Sequence, residues 1–150
     1  MPTVKDVPAD KFIEEFAKFL KQSGMVKPPD WTEHARTGHH KELAPYRPDW
    51  WYIRCASIAR RVFIRKRVGV GGLTKAYGGR KRRGVRPGKY IRGSSSIARK
   101  ALIQLEDSGI VEKIRKADDE GGEFAGRQVT REGQRHLNQI ADQVYNNLNS

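Results

Sequence analysis

Between Asp49 and Glu106 the chain carries sixteen lysines and arginines and no acidic residue. Buried cations without partners are prohibitively costly, and a block of like charge spread over a compact surface repels itself. The block therefore expects a partner, a polyanion that neutralises it. The rest of the 150-residue chain holds fourteen basic and seventeen acidic residues, so it contributes −3 to a total of +13. The basicity is local. A surface adapted only for solubility would intersperse both signs.

One domain, residues 1–150, is expected, because this length buries one core and not two. The single Cys55 excludes an intramolecular disulfide framework, and no apolar run has the length of a membrane span or the layout of a secretory signal. These features predict a cytoplasmic protein with no membrane partner.

The spacing of Phe12, Ile13, Phe16, Phe19 and Leu20 predicts a helix over about 8–22, with Pro8 in its first turn and Gly24 as its stop. A proline-bearing connector follows. Asp49 is placed to cap a second helix, "WWYIRCASIARRVFIRKR", whose wheel gathers Trp51, Tyr52, Cys55, Ala56, Ile58, Ala59, Val62 and Phe63 on one core-facing arc. Arg54, Arg61 and Arg65 form a separate stripe with no acidic residue at i±4 to pair with, and Arg60 borders the apolar arc on its other side. Cys55 lies within the apolar arc and reads as a small core hydrophobe rather than a nucleophile.

From Lys66 to Gly93 eight of twenty-eight residues are glycine and ten are basic, which predicts a long loop without regular helix. Val68, Val70, Leu73, Tyr77, Val85, Tyr90 and Ile91 are interleaved with those charges. They are suited to pin the loop to the core or to stack on unpaired bases, so an ordered phosphate-binding loop is expected rather than a solvated tail. Helix resumes at Ser94 or Ser95 and runs to about 107, burying Ile97, Ala98, Ala101, Leu102 and Leu105, with Gly109 beyond its end. "IVEKIRK" and "GRQVT" then flank an acidic, glycine-bearing turn and predict a β-hairpin. Thr130 is the predicted cap of a last helix burying Leu137, Ile140, Ala141, Val144 and Leu148. The predicted fold is mainly α: a winged-helix-like bundle with a small antiparallel hairpin and a long basic glycine-rich loop.

No catalytic constellation emerges. "GVGGLTK" has glycines and a lysine but lacks the phosphate-loop spacing between a strand and a helix. His34, His39 and His40 have no matching cysteine pair, and they read as surface or hydrogen-bonding groups rather than metal ligands. No cofactor is expected. The rivals of an RNA-binding reading are a winged-helix DNA-binding regulator, with the 95–107 helix in a major groove, and a nucleotide hydrolase centred on Lys75.

Three blocks, "WYIRCASIARRVFIR", "GVGGLTKAYGGRKRRGVRPGKYIRGSSSIARKALIQLEDSGIVEK" and "VTREGQRHLNQIA", in this order closely resemble the small-subunit ribosomal protein nineteen family of archaea and eukaryotes. The resemblance runs from about "VPAD" to Val144. It implies a structural constituent of the small ribosomal subunit that binds ribosomal RNA in the subunit head and supports subunit maturation. The implied partners are that RNA and neighbouring small-subunit proteins, with a monomer outside the ribosome. Matched motifs carry over Arg54 and Arg60 of "RCASIAR", Lys75, Tyr77, Gly78, Gly79 and Arg80 of "TKAYGGR", and Arg92, Ser94, Arg99 and Lys100 of "RGSSSIARK" as RNA-facing residues. The uncompensated charge adds Arg61, Arg65, Lys66, Arg67, Lys81, Arg82, Arg83, Arg86 and Lys89. One departure is Arg131, where the family pattern tends to have proline.

Overall fold

The structure, a computed structural model, describes residues 2–41, 43, 45, 47–115 and 124–149. Five α-helices and two antiparallel hairpins follow in the order α1 Ala9–Ser23, α2 Trp50–Arg65, α3 Val70–Ala76, β1 Gly79–Arg83, β2 Arg86–Ile91, α4 Ser95–Asp107, β3 Val111–Arg115, β4 Phe124–Val129 and α5 Arg131–Asn149. Two short 3₁₀ turns, Val4–Asp6 and Asp30–Glu33, flank α1 and interrupt the connector. The architecture is mainly α and winged-helix-like, with β3–β4 as the wing.

Helical spacing of apolar residues explains the core. Phe12, Phe16, Ala17 and Leu20 of α1 are buried, and α1 packs on α2, in which Trp51, Cys55, Ala56, Ile58, Ala59 and Val62 are buried. Each fully buried large side chain contributes about 1.5–3 kcal/mol from area removed from water. Ile97, Ala98, Ala101, Leu102 and Leu105 of α4 close the same core. Gly24 and Gly109 adopt positive φ, 69° and 84°, just past the ends of α1 and α4, a left-handed stop that a Cβ would penalise. Burial drives the Cys55 thiol pKa up, so it stays protonated and inert.

Polar contacts fix how these elements meet. The Ser94 hydroxyl accepts from the Ile97 N–H and caps α4. Gln104 of α4 accepts from Trp51 Nε1 at 3.1 Å and from the Lys27 N–H, and its amide donates to the Lys27 carbonyl at 2.7 Å. The Thr130 hydroxyl accepts from the Gly133 N–H at 3.0 Å and donates to the Gly109 carbonyl, so one side chain both caps α5 and ties it to the end of α4. The absence of proline at 131 thus leaves the start of α5 intact.

Three expectations are corrected. The segment 66–93 is not a loop: its middle forms α3, in which Leu73 and Thr74 are buried, and its second half forms the β1–β2 ribbon. Tertiary burial of Leu73 overrides the weak helix propensity of the glycines around it. Leu148 is 42% exposed, because α5 outruns the core in its last turn. Asp49 makes no side-chain cap on α2, since its carboxylate is engaged by Arg47 at 3.2 Å. The acidic turn expected between the wing strands, 117–123, lies outside the described residues. The wing also gains a contact that its pattern did not announce: Val68 bridges backbone to backbone with Arg127, at 3.0 and 2.8 Å.

Candidate nucleic-acid interface

The β1–β2 ribbon is the most exposed part of the basic block. Arg80, Lys81, Arg82, Arg83, Arg86 and Lys89 are all exposed on it. Its register places Lys81 opposite Lys89 and Arg83 opposite Arg86, with a bulge between Lys81 and Arg83 and a two-residue turn at Gly84–Val85. Like charges directly across an antiparallel pair destabilise it. Strand pairing alone does not favour this arrangement.

The base of the ribbon is anchored. Tyr77, just after α3, lies under Arg54 with the guanidinium carbon 4.0 Å from the ring centroid, and its hydroxyl pairs with Ser57 at 2.5 Å. Burial is the main cause that lowers the Arg54 pKa and raises that of Tyr77, and Arg61 also acts on the Tyr77 hydroxyl. The guanidinium nevertheless stays cationic. The Tyr90 hydroxyl donates to the Lys75 carbonyl, and the Gly93 N–H donates to the Thr74 carbonyl at 2.8 Å. Gly78 and Gly79 are bare because the Tyr90 hydroxyl and the His40 ring occupy the space of their absent side chains. Among the interleaved apolar residues, Val68 and Leu73 join the core and Val70 and Tyr77 pack on it, while Val85 and Tyr90 stay exposed.

The other basic residues lie on α2, on α3 and on α4 with its entry. Ser96, Arg99 and Lys100 share a face of α4 at i, i+3 and i+4, all exposed, and Arg92 and Ser94 precede that face at the entry to the helix. Lys75 is exposed on α3. Arg65, Lys66 and Arg67 are exposed at the end of α2, and the Arg67 stem lies over Gly126 of the wing. Arg60 is half-buried, and its Nε is enclosed without a partner among the described residues. Arg82 apart, none of the ion pairs between described residues uses a cation from this block. Glu106, the first acid beyond it, is taken by Arg127 at 3.4 Å and Lys113 at 3.7 Å, both on the wing.

A cleft of about 790 Å³ opens where α3, the β2–α4 connection and residues 36–39 converge. Arg36, His39, Gly71, Ser95 and Ser96 line it together with Arg92 and Ser94. Arg36 reaches it from the connector, far upstream of Arg92 in a stretch without periodicity, so spacing carried no signal for it. Among the described residues no group of three or more His, Cys, Asp or Glu side chains is placed to hold a metal ion.

Comparison with known proteins matches residues 3–147 to the family described as ribosomal protein S19e. The small ribosomal subunit protein eS19A of Schizosaccharomyces pombe is 50% identical over 139 residues, covering 93% of this chain and 91% of that protein. The small ribosomal subunit protein eS19 of Myxine glutinosa is 50% identical over 142 residues, 95% of this chain and 92% of its own. That of Oryza sativa subsp. japonica is 43% identical over the same length, again covering 95% and 92%.

Proposed function

Because the chain belongs to the ribosomal protein S19e family, we propose that it is a structural constituent of the cytoplasmic small ribosomal subunit that docks by its basic face onto ribosomal RNA of the subunit head. The observation that carries this reading is the ribbon register, with Lys81 opposite Lys89 and Arg83 opposite Arg86. Such a ribbon is relieved of its own repulsion when phosphates lie along it. The exposed cations of the ribbon, of α3 and of the Ser96–Arg99–Lys100 face displace counterions from the RNA, and the bound partner is read by shape, since side chains do not enter the deep groove of A-form helices. No chemical step is needed.

Arg54 and Tyr77 serve this face from beneath, as the joint that holds the ribbon to α2. Neighbouring small-subunit proteins complete the environment, and the chain is monomeric before assembly. Support for subunit maturation follows from the same docking: a protein that orders head RNA is required before that RNA reaches its final fold. The DNA-regulator alternative has no support in the family match.

The test is binding of a head-domain ribosomal RNA transcript across salt concentrations. Neutralising about six phosphates gives a slope of log affinity on log salt near −4 to −5. A flat response, or equal affinity for a short duplex DNA, removes the reading. Crosslinks from Lys66 to Lys100 locate the face.

A further inference from the structure

We infer that the cleft between α3, the β2–α4 connection and the Arg36–His39 segment takes one nucleotide of the bound RNA, its phosphate held by Arg36 and Arg92 and its base lying against Val70 and Ile91. The inference rests on the RNA-docking reading and names a subsite within it. The cleft's volume, about 790 Å³, falls in the range of pockets that enclose small ligands, and its lining combines cationic and apolar groups. Two guanidiniums and the exposed Ser95 and Ser96 supply polar groups, while the partly exposed Val70 and Ile91 supply apolar surface. That is the pairing a nucleotide presents: an anion at one end and a flat apolar face at the other.

The cationic side is prepared. Arg36 Nη1 donates to the Lys41 carbonyl at 3.0 Å, which holds the guanidinium in place and leaves its other N–H groups for an acceptor. Among the described residues, neither Arg36 nor Arg92 has an acidic partner. The rim is also kept bare. Gly71 is exposed in α3, has ordinary helical φ, and would meet nothing within 4 Å if it carried a Cβ. A glycine there weakens the helix relative to alanine with no gain inside the protein. Gly78 and Gly93, by contrast, are bare because Tyr90 and Tyr77 crowd them. An unobstructed rim at Gly71 lets a sugar-phosphate backbone come close.

The test uses the full chain, with 5′-AMP at millimolar concentration as the probe in an amide chemical-shift titration and a head-domain ribosomal RNA transcript in a binding assay. In the wild type, AMP is expected to shift the amides of Gly71, Gly93, Ser95 and Ser96. Gly71→Phe fills the cleft from a position with room for it, and Arg36→Glu reverses an exposed charge outside the basic block. Both are expected to keep the thermal transition, to abolish the AMP shifts and to weaken RNA binding about tenfold, the loss of one or two charge-assisted contacts. If AMP leaves the cleft amides unmoved, or if both variants bind RNA as the wild type does, the inference is overturned. Lys81→Glu on the ribbon separates the two readings: it is expected to weaken RNA binding and to leave the AMP shifts intact. Cleft shifts in a protein that shows no salt-dependent RNA binding support the subsite and remove the docking reading.

Discussion

The Arg54 guanidinium lies face-on over the Tyr77 ring, 4.0 Å from its centroid, and joins the middle of α2 to the base of the basic ribbon. A desolvated cation–π pair of this kind contributes up to about 2 kcal/mol. Arg54→Ala is therefore expected to lower stability by about 1–2 kcal/mol in denaturant titrations, and hydrogen exchange should show the ribbon amides losing protection before those of α1. Loss of RNA affinity with unchanged stability and unchanged ribbon protection would instead make Arg54 a direct RNA contact.

Lys89→Glu places an acid opposite Lys81. An opposite-charge cross-strand pair in place of a like-charge one stabilises the ribbon by about 0.2–1 kcal/mol. In the proposed docking the same substitution removes a phosphate contact, so RNA affinity should fall and the salt slope should shrink by about one. Stability and binding moving in opposite directions is the signature to measure; movement in the same direction would mean that the ribbon contributes to binding only by being folded.

Gly133 packs so closely against the β3 entry that a Cβ would sit 2.2 Å from the Ile110 carbonyl oxygen. Gly133→Ala is expected to cost about 1–3 kcal/mol, the range for overpacking a tight contact. The helix-propensity gain does not offset it. Thermal melts read this directly, and RNA affinity of the folded fraction should not change.

The His40 ring is wedged against Gly38 and Gly79, with Nδ1 enclosed and without a partner among the described residues. Desolvation, followed by the charges of Lys41 and Arg54, lowers its pKa from 6.5. Below about pH 6.5 the unfolded chain therefore binds the proton more readily than the native one, and stability falls as pH drops through that window until the folded pKa is passed. Denaturant midpoints at pH 7 and pH 5 should differ more in the wild type than in His40→Gln. Equal differences would place the acid sensitivity elsewhere.

Much of this was legible in the residues themselves. Apolar spacing located α1, α2, α4 and α5 to within a residue or two, because amphipathic helices bury one face and their caps are chemically distinctive: Ser94, Thr130, Gly24 and Gly109 all act as read. The acid-free window marked the exposed basic surface as soon as the charges were counted. What was illegible depended on distant partners. α3 forms because Leu73 finds a core that its glycine-rich neighbourhood does not announce, and β1–β2 pairs strands whose alternation is masked by charge on both faces. The cleft needs Arg36 from the connector, and tertiary contact alone brings Arg36 beside Arg92. Leu148 kept the helical period beyond the point where there was anything left to bury it.

Because the ribbon sets cation against cation across its strands, dissolved ions act on it in two opposed ways. Raising ionic strength shortens the reach of repulsion, toward about 8 Å at physiological levels, and tightens the free ribbon. In the proposed RNA complex the same ions compete for the phosphates and loosen it. In dilute buffer the finger is splayed but strongly attracted; in concentrated salt it is well formed but indifferent. The proposed docking is therefore expected to be strongest at an ionic strength between those extremes.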